Sequence, residues 1–145
     1  MSFSGTISAP LSKSLLVSAR GMDAQGARFL AISQNLANAS TRPTAPGQMP
    51  YRRKLVSYTN RLDFKKGINL IHLKPMQFDK SPFKSVYDPT DPAADAKGYV
   101  QESNVKPLIE MADMREAGLT YDANLKAYEH SLGMLNNTIG LLRAT

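Results

Sequence analysis

A seven-residue hydrophobic repeat runs through the last quarter of the chain. If Met111 takes position a of a heptad, nine of the ten a and d positions that follow are large apolar or aromatic residues. A composition of 42% hydrophobic residues would place about four there. The repeat predicts one amphipathic helix over residues 107–143, with Pro107 as its first residue and a coiled-coil seam along its length. The seam residues are Met111, Met114, Tyr121, Leu125, Tyr128, Leu132, Leu135, Ile139 and Leu142.

A weaker stripe of the same period lies near the N-terminus. Leu15, Met22, Phe29 and Leu36 follow one another at seven-residue steps, and Ile32 lies beside them. Two glycines within the stripe each cost a helix about 0.8–1 kcal/mol relative to alanine, so we do not expect this helix to be stable alone. Asn, Ser, Thr and Pro residues between positions 38 and 46 end the helix.

Prolines concentrate between these two stripes. Residues 43–106 also carry short β-prone runs at 51–58, 68–73 and 98–101, separated by turn residues. We therefore predict a mainly α chain with a small β element. Its parts are an N-terminal helical segment (1–42), a loop-rich β segment (43–106) and a C-terminal helical segment (107–145). The two end helices are expected to pair as a coiled-coil-like unit.

The C-terminal helix is too long for an ordinary globular chain of this size. At about 1.5 Å per residue it spans about 55 Å, whereas a compact chain of this length is about 38 Å across. Its distal seam must therefore meet the N-terminal helix, copies of the same chain or other proteins. An exposed apolar seam is normally an association surface. The sequence leaves open which contacts are made within one chain and which between chains.

The composition argues against catalysis and metal binding. The chain has no cysteine and only two histidines, which excludes disulfides and the usual zinc clusters. Ser81 and Lys84 match a Ser-x-x-Lys spacing, but Pro82 interrupts the helical turn that such a pair requires. We therefore predict no enzymatic activity, no cofactor, no metal and no small-molecule substrate.

An aspartate-rich stretch in the central segment has the spacing of turns. Asp88, Asp91 and Asp95 lack the glycine and closing glutamate of a calcium-binding loop, and Asp-Pro is a common turn former. We expect these three carboxylates to organise turns.

The positive charge of the chain lies in its central segment. Net charge is +2 over residues 1–41, +6 over 42–106 and −2 over 107–145. The densest basic run, Tyr51 to Lys54, could contact phosphates, but no reading helix accompanies it. We predict a strand with solvated charges or contacts to an acidic partner chain, and no nucleic acid. No apolar run approaches the length of a membrane span, and no signal peptide is evident, so we also predict no membrane insertion.

Two blocks of sequence are similar to one known family. The first covers residues 21–41 and contains Asn35-Leu36-Ala37-Asn38 followed by Thr41. The second covers residues 87–111 and begins Tyr-Asp-Pro-Thr-Asp-Pro. Both resemble the bacterial flagellar rod and hook axial proteins, in particular those of the proximal rod. Members usually have His at position 91, Pro at 103 and Asn or Asp at 106. Because Lys106 cannot cap a helix as Asn or Asp does, the C-terminal helix is expected to begin less firmly, at a cost of about 1 kcal/mol.

The resemblance implies a structural subunit of the basal-body rod. Such a rod is a helical tube that crosses the periplasm, transmits motor torque and encloses the export channel. Implied partners are copies of the chain, other rod proteins, the flagellar type III export apparatus, and the MS-ring and adjacent rod-base proteins. Export without a cleaved signal is also implied. We expect the seam residues above, the N-terminal stripe, Asn35 and Asn38 to mediate assembly. The alternative is an export chaperone or coiled-coil adaptor that binds a partner helix.

Overall fold

Two long helices lie at the two ends of the chain. The computed structural model describes residues 4–143, with side chains from residue 10 onward. Helix α1 spans Ser4–Ala37 and helix α2 spans Pro107–Arg143, which confirms the predicted bounds of the C-terminal helix. The mainly α architecture with a small β element is also confirmed. Helix α1 continues across Pro10, where the missing N–H removes one backbone hydrogen bond of the helix.

The central segment forms six short strands. They are β1 (Lys54–Leu55), β2 (Tyr58–Asp63), β3 (Ile68–Leu73), β4 (Gln77–Phe78), β5 (Lys84–Tyr87) and β6 (Tyr99–Glu102). They pair as three separate antiparallel ladders, β1 with β4, β2 with β3 and β5 with β6. The β2–β3 hairpin therefore lies in sequence between the two strands of the first ladder.

The strand predictions are confirmed in part. The run at 68–73 is β3, and the run at 98–101 lies within one residue of β6. The run at 51–58 is not a single strand, because only β1 and the first residue of β2 fall within it. Strands β2, β4 and β5 were not predicted, since polar residues such as those in Tyr58–Asp63 do not show the alternation of a half-buried strand.

One glycine is required where β6 begins. Gly98 has a φ of +79°, and a Cβ at this position would lie 2.8 Å from the Tyr87 ring. The Tyr87 and Tyr99 rings meet edge to face with centroids 5.3 Å apart. Any larger residue at position 98 would strain the backbone and collide with the Tyr87 ring.

The described chain divides into two compact units. The first contains the part of α1 up to Ala27, residues Tyr58–Lys74, and α2 from Glu116 onward. The second contains Arg28–Ser57 and Pro75–Arg115. Each unit thus combines parts of all three segments distinguished in the sequence. The division of the chain into segments 1–42, 43–106 and 107–145 therefore stays a prediction from the sequence.

In the first unit the two helices run antiparallel and close together. The Ser14 and Ser131 hydroxyls are 2.8 Å apart, and a Cβ on Gly21 would lie 2.7 Å from the Asn124 side chain. One step of seven residues along α1 is therefore matched by one step of seven back along α2. The glycine and the serines permit this close approach because they have little or no side chain to separate the helices.

Small and polar residues occupy the buried face of this helix pair. In the first unit the buried helix residues include Ser18, Gly21, Ala24, Ala117 and Ser131. Leu132 and Ile139, which occupy predicted a positions of the heptad, are 39% and 41% exposed. The buried stripe of α2 is therefore displaced by one residue from the apolar a positions that the repeat predicted.

We predict that alanine at the two glycines of α1 has different effects. Gly26→Ala is expected to raise the free energy of unfolding by about 1 kcal/mol, because position 26 is exposed with open space around it. Gly21→Ala gains the same helix propensity but must displace Asn124. We expect it to be less stable than Gly26→Ala by about 1 kcal/mol or more. Urea unfolding monitored by circular dichroism measures both; equal stability of the two variants would contradict the close packing.

Candidate functional site

A buried asparagine joins three elements of the second unit. Asn35, near the end of α1, is 1% exposed. Its Nδ2 donates to the Lys54 carbonyl at 2.9 Å and to the Glu110 carboxylate at 3.0 Å. Its Oδ1 accepts from the Tyr51 hydroxyl at 3.0 Å and from the Lys54 N–H at 2.8 Å. All four hydrogen-bonding positions of the amide are used, so Asn35 ties α1 to β1 and to the first turn of α2.

The carboxylate beneath this amide is fully buried. Glu110 has no exposed surface, and its second oxygen accepts a hydrogen bond from the Arg53 guanidinium. Arg53 also contacts Asp113 at 3.1 Å and Asp79 at 3.6 Å. A buried carboxylate requires such pairing, because the loss of one partner leaves an uncompensated charge.

The charges around Arg53 change two pKa values in opposite directions. Burial lowers the pKa of Arg53, but the hydrogen bond and charge of Glu110 and the charges of Asp113 and Asp79 outweigh burial, so the pKa is raised overall. The pKa of Asp79 is lowered, chiefly by the hydrogen bond from the Ser81 N–H and also by Arg53. Both shifts favour the charged forms and so maintain the ion pairs at neutral pH.

A second arginine fastens the aspartate-rich turns. The Arg42 guanidinium contacts Asp88 at 2.9 Å, Asp91 at 3.0 Å and Glu102 at 2.8 Å. Hydrogen bonds to these carboxylates raise the pKa of Arg42 above its ordinary value, with Glu102 contributing most. Arg42 thereby connects the segment that leaves α1 to the Asp-Pro turns and to β6.

The aspartates also organise the turns themselves. Asp91 accepts from the Ala93 N–H at 2.8 Å, and Asp95 accepts from the N–H groups of Lys97 and Tyr99. This pattern is typical of Asx turns and supports the turn assignment made from sequence. Among residues 4–143, no group of three or more His, Cys, Asp or Glu side chains is arranged to hold a metal ion.

The end of α1 and the start of α2 are both closed by hydrogen bonds. Asn38 follows the last residue of α1, and its side chain donates to the Gln34 carbonyl at 2.8 Å. At the start of α2 the Lys106 carbonyl accepts from the N–H groups of Ile109 and Glu110. Lys106 supplies no side-chain cap, and the buried Glu110 provides the negative charge that a helix N-terminus favours.

The basic run is engaged within the chain. Arg53 contacts the three carboxylates described above, and Arg52 donates to the Asp79 carbonyl while its guanidinium lies 4.1 Å from the centre of the Phe83 ring. The Lys54 ammonium donates to the Gln34 side chain at 2.9 Å. These side chains meet acidic and polar groups of their own chain, so they do not form an open patch for phosphates.

The serine and lysine of the hydrolase-like spacing also have structural partners. The Ser81 hydroxyl accepts from the Asn104 side chain at 3.0 Å, and the Lys84 ammonium lies 3.9 Å from Glu102. Each residue thus takes part in holding β5, β6 and the following loop together. In the described part of the chain, no helix is long and apolar enough to cross a membrane.

The structure separates the proposed assembly residues into three groups. Ile32 and Asn35 are buried, and Asn35 is joined to α2 through Glu110. Most of the others are half-buried: Leu15, Met22, Phe29, Leu36, Asn38, Met114, Tyr121, Leu125, Tyr128 and Leu135. The exposed members all lie on α2: Met111, Leu132, Ile139 and Leu142.

Sequence reasoning did not identify the partners of the signature asparagine. Tyr51 and Arg53 lie in the basic run and Glu110 lies in the second family-like block, but neither pattern indicates that these residues meet Asn35. Glu110 had one available signal, since a carboxylate in the first turn of a helix is favoured there. Its burial and its pairing with a residue 57 positions earlier follow only from the fold.

Comparison with known proteins gives a consistent result. The chain is 41% identical over 136 residues to the flagellar basal-body rod protein FlgC of Agrobacterium fabrum, covering 94% of this chain and 98% of the relative. The FlgC of Bacillus subtilis is 39% identical, with 84% and 91% covered. The FlgC of Borreliella burgdorferi is 33% identical, with 92% and 98% covered. No protein-family model matches the chain.

We predict that Asn35→Ala destabilises the second unit. The change leaves Glu110, the Tyr51 hydroxyl and the Lys54 backbone without their buried partner, which is expected to cost about 3 kcal/mol. Asn137→Ala is the matched control, because Asn137 is an exposed asparagine on a helix. Urea unfolding measures both variants. A loss for Asn35→Ala no larger than that of the control would contradict the bonding role of the buried amide.

A second prediction concerns Asp79 and pH. Its pKa lies below the ordinary 3.8 in the folded chain, so its carboxylate stabilises the fold above that pH. The stabilisation is lost as pH falls through the folded pKa. At neutral pH we expect Asp79→Asn to be less stable than wild type by about 1 kcal/mol, and this difference should close as pH falls below 3.8. Unfolding curves across the pH range provide the test; a constant difference would show that the ionised form is not the stabilising one.

Proposed function

The chain belongs to the FlgC family of flagellar basal-body rod proteins, and we propose that its exposed surfaces form the contacts between subunits of the rod. It is a structural subunit of the proximal rod. The similarity to FlgC proteins over most of the chain carries this conclusion. An export chaperone or adaptor is not favoured, because the relatives that match nearly the full length are rod proteins.

Close packing through small residues leaves large apolar side chains for neighbouring subunits. In the first unit Leu132, Ile139 and Leu142 are exposed on α2, together with Met134 and Leu141. Leu132, Ile139 and Leu142 lie within three turns and on one side of the helix, so they form a nearly continuous apolar surface, whereas Met134 and Leu141 lie on the opposite side. Soluble monomers rarely expose such a surface unless it is an interface. We assign it to subunit contacts in the assembled rod.

The polar clusters of the second unit suit a subunit under mechanical load. Asn35, Arg53 and Glu110 link α1, β1 and α2 by buried hydrogen bonds and ion pairs. Arg42 links the exit of α1 to β6 and the Asp-Pro turns. Rotation of the rod loads these connections, and directional polar bonds resist sliding better than apolar contacts alone.

The proposal extends to partners and location. The neighbours would be copies of this chain, other rod proteins and the MS-ring and rod-base proteins, with delivery by the type III export apparatus. Export would proceed without a cleaved signal, and the rod would cross the periplasm. We also propose that the chain has no catalytic activity, a view supported by the structural roles of Ser81 and Lys84.

We predict that Leu132→Asp blocks assembly. A carboxylate in the apolar surface of α2 would be desolvated at the subunit interface, and we expect incorporation into basal bodies to fall about tenfold or more. Swimming should be lost and secretion of the subunit largely retained. Immunoblots of purified basal bodies, motility assays and immunoblots of the export fraction measure these three properties.

The matched control is Asn137→Asp. It adds the same charge at an exposed polar position five residues further along α2. Normal incorporation of this control together with loss of the Leu132 variant would assign the effect to the apolar surface. Normal swimming of Leu132→Asp would overturn the proposed interface.

A further inference from the structure

The β2–β3 hairpin has one covered face and one open face. Cross-strand pairing places Tyr58 opposite Leu73 and Leu62 opposite Asn69, and strand alternation puts all four on the same face. Tyr58, Leu62 and Leu73 are 46%, 49% and 47% exposed. The opposite face holds Leu70, which is only 5% exposed. The open face therefore presents two leucines and a tyrosine to solvent.

The tip of the hairpin extends this apolar surface with a phenylalanine on a well-defined turn. Phe64 is 88% exposed. The Asp63 carbonyl accepts from the N–H groups of Lys66 and Gly67, and its carboxylate accepts from the Lys65 N–H at 3.0 Å. Gly67 closes the turn with a φ of +62°. These hydrogen bonds fix the turn that carries the exposed ring.

Lysines border the apolar surface at both ends of the hairpin. Lys65 and Lys66 lie in the turn and Lys74 follows the last residue of β3, and all three are exposed. In the described part of the chain, neither Lys65 nor Lys74 has an ion pair. Lys66 lies 3.8 Å from Asp63, yet its side chain is still 52% exposed. Asp63 is the one acidic residue between positions 58 and 74, so the border of the apolar surface is cationic.

A second exposed phenylalanine lies in a different setting. Phe78, in β4, is 57% exposed, and the acidic Asp79 follows it directly. The nearby Arg52 guanidinium donates to the Asp79 and Ser81 carbonyls and lies 4.1 Å from the centre of the Phe83 ring. Exposure of an aromatic ring thus occurs twice, but only the ring at the hairpin tip lies between two exposed lysines and an open apolar face.

The chemistry of this surface matches that of an anionic lipid interface. Apolar side chains on one side of an element with lysines at its border are typical of segments that lie at the boundary between headgroups and acyl chains. Lysine stems pack along apolar surface while their ammonium groups reach the phosphates, and each lysine near an anionic membrane adds attraction. A bilayer also accepts a protruding ring without a preformed pocket, whereas a protein partner must supply one.

We propose that the open face and the tip of the β2–β3 hairpin lie on an anionic phospholipid surface. Phe64 and Leu62 enter the boundary between headgroups and acyl chains, and the ammonium groups of Lys65 and Lys66 contact lipid phosphates. The contact is peripheral, and Arg61 lies with Leu70 on the face turned away from the lipid. This inference goes beyond the proposed rod function and uses other residues than the apolar surface of α2.

Tryptophan fluorescence tests whether the tip enters the interface. The chain has no tryptophan, so Phe64→Trp introduces a single reporter in the purified full chain. We expect its emission to shift to shorter wavelength with phosphatidylglycerol vesicles and to be quenched by brominated acyl chains, because indole rings favour the membrane interface. Phe78→Trp is the matched control and should keep the emission of a solvated ring. No shift for Phe64→Trp, or equal shifts for the two variants, would overturn the proposal.

Vesicle flotation measures the apolar part of the binding. We expect the wild-type chain to float with phosphatidylglycerol vesicles and to remain unbound with phosphatidylcholine vesicles. Phe64→Ala should lower the partition coefficient about tenfold, because it removes the side chain that leaves water. Phe78→Ala is the control and should bind like wild type. Equal binding of wild type and Phe64→Ala would show adsorption by charge alone and contradict the proposed contact.

A paired charge neutralisation measures the electrostatic part. We expect Lys65→Gln with Lys66→Gln to lower the partition coefficient about tenfold or more. Lys97→Gln with Lys106→Gln is the control, since it removes the same charge from two exposed lysines of the second unit. Equal losses for the two pairs would show that net charge rather than the hairpin is responsible, and the inference would then be wrong.

Failure of this inference is distinguishable from failure of the proposed function. Binding of the wild-type chain to neither kind of vesicle would overturn the lipid contact and would indicate a protein as the partner of the open face. The rod function would stand in that case, because the vesicle measurements use the purified chain alone. Absence of the wild-type chain from purified basal bodies would instead overturn the rod function and leave the vesicle results in place.

Discussion

Burial of the Asn35 amide against Glu110 is the interaction on which the second unit depends. An amide and a carboxylate lose their hydration when they are buried, and each is tolerated only when its hydrogen bonds are replaced. The Tyr51 hydroxyl, the Lys54 backbone and the Arg53 guanidinium supply those bonds. The attachment of β1 to the end of α1 follows, since a displaced strand would leave buried polar groups unpaired.

The first unit is held together differently. Its helices approach closely because Gly21, Ser14 and Ser131 occupy the contact face, and the resulting interface is narrow and partly polar. Large apolar residues that would form the core of an ordinary coiled coil are left at its margin or in solvent. A subunit that must bind several neighbours benefits from this arrangement, because the apolar area that stabilises assembly is not spent within the monomer.

The charge distribution has a similar explanation. Much of the central positive charge is compensated inside the second unit, where Arg42 and Arg53 each contact three carboxylates. The basic residues of the β2–β3 hairpin have fewer acidic neighbours and accompany an exposed aromatic ring. Net charge alone therefore says little about partners, whereas the position of each uncompensated charge indicates where a partner of opposite charge would bind.

The sequence by itself determined the two helices, the end of α1 within the Asn-Leu-Ala-Asn signature and the turn roles of Asp91 and Asp95, because helix periodicity, proline and Asx turns act within a few residues. It also indicated that Asn35 matters, without indicating why. Only the tertiary structure decided that Glu110 is the partner of Asn35, that Arg53 compensates it, and that the buried stripe of α2 runs one position away from Leu132 and Ile139. These features depend on residues far apart in the chain and on how closely two helices approach. The absence of a side chain at Gly21 permits that close approach, and no local pattern of hydrophobic residues predicts it.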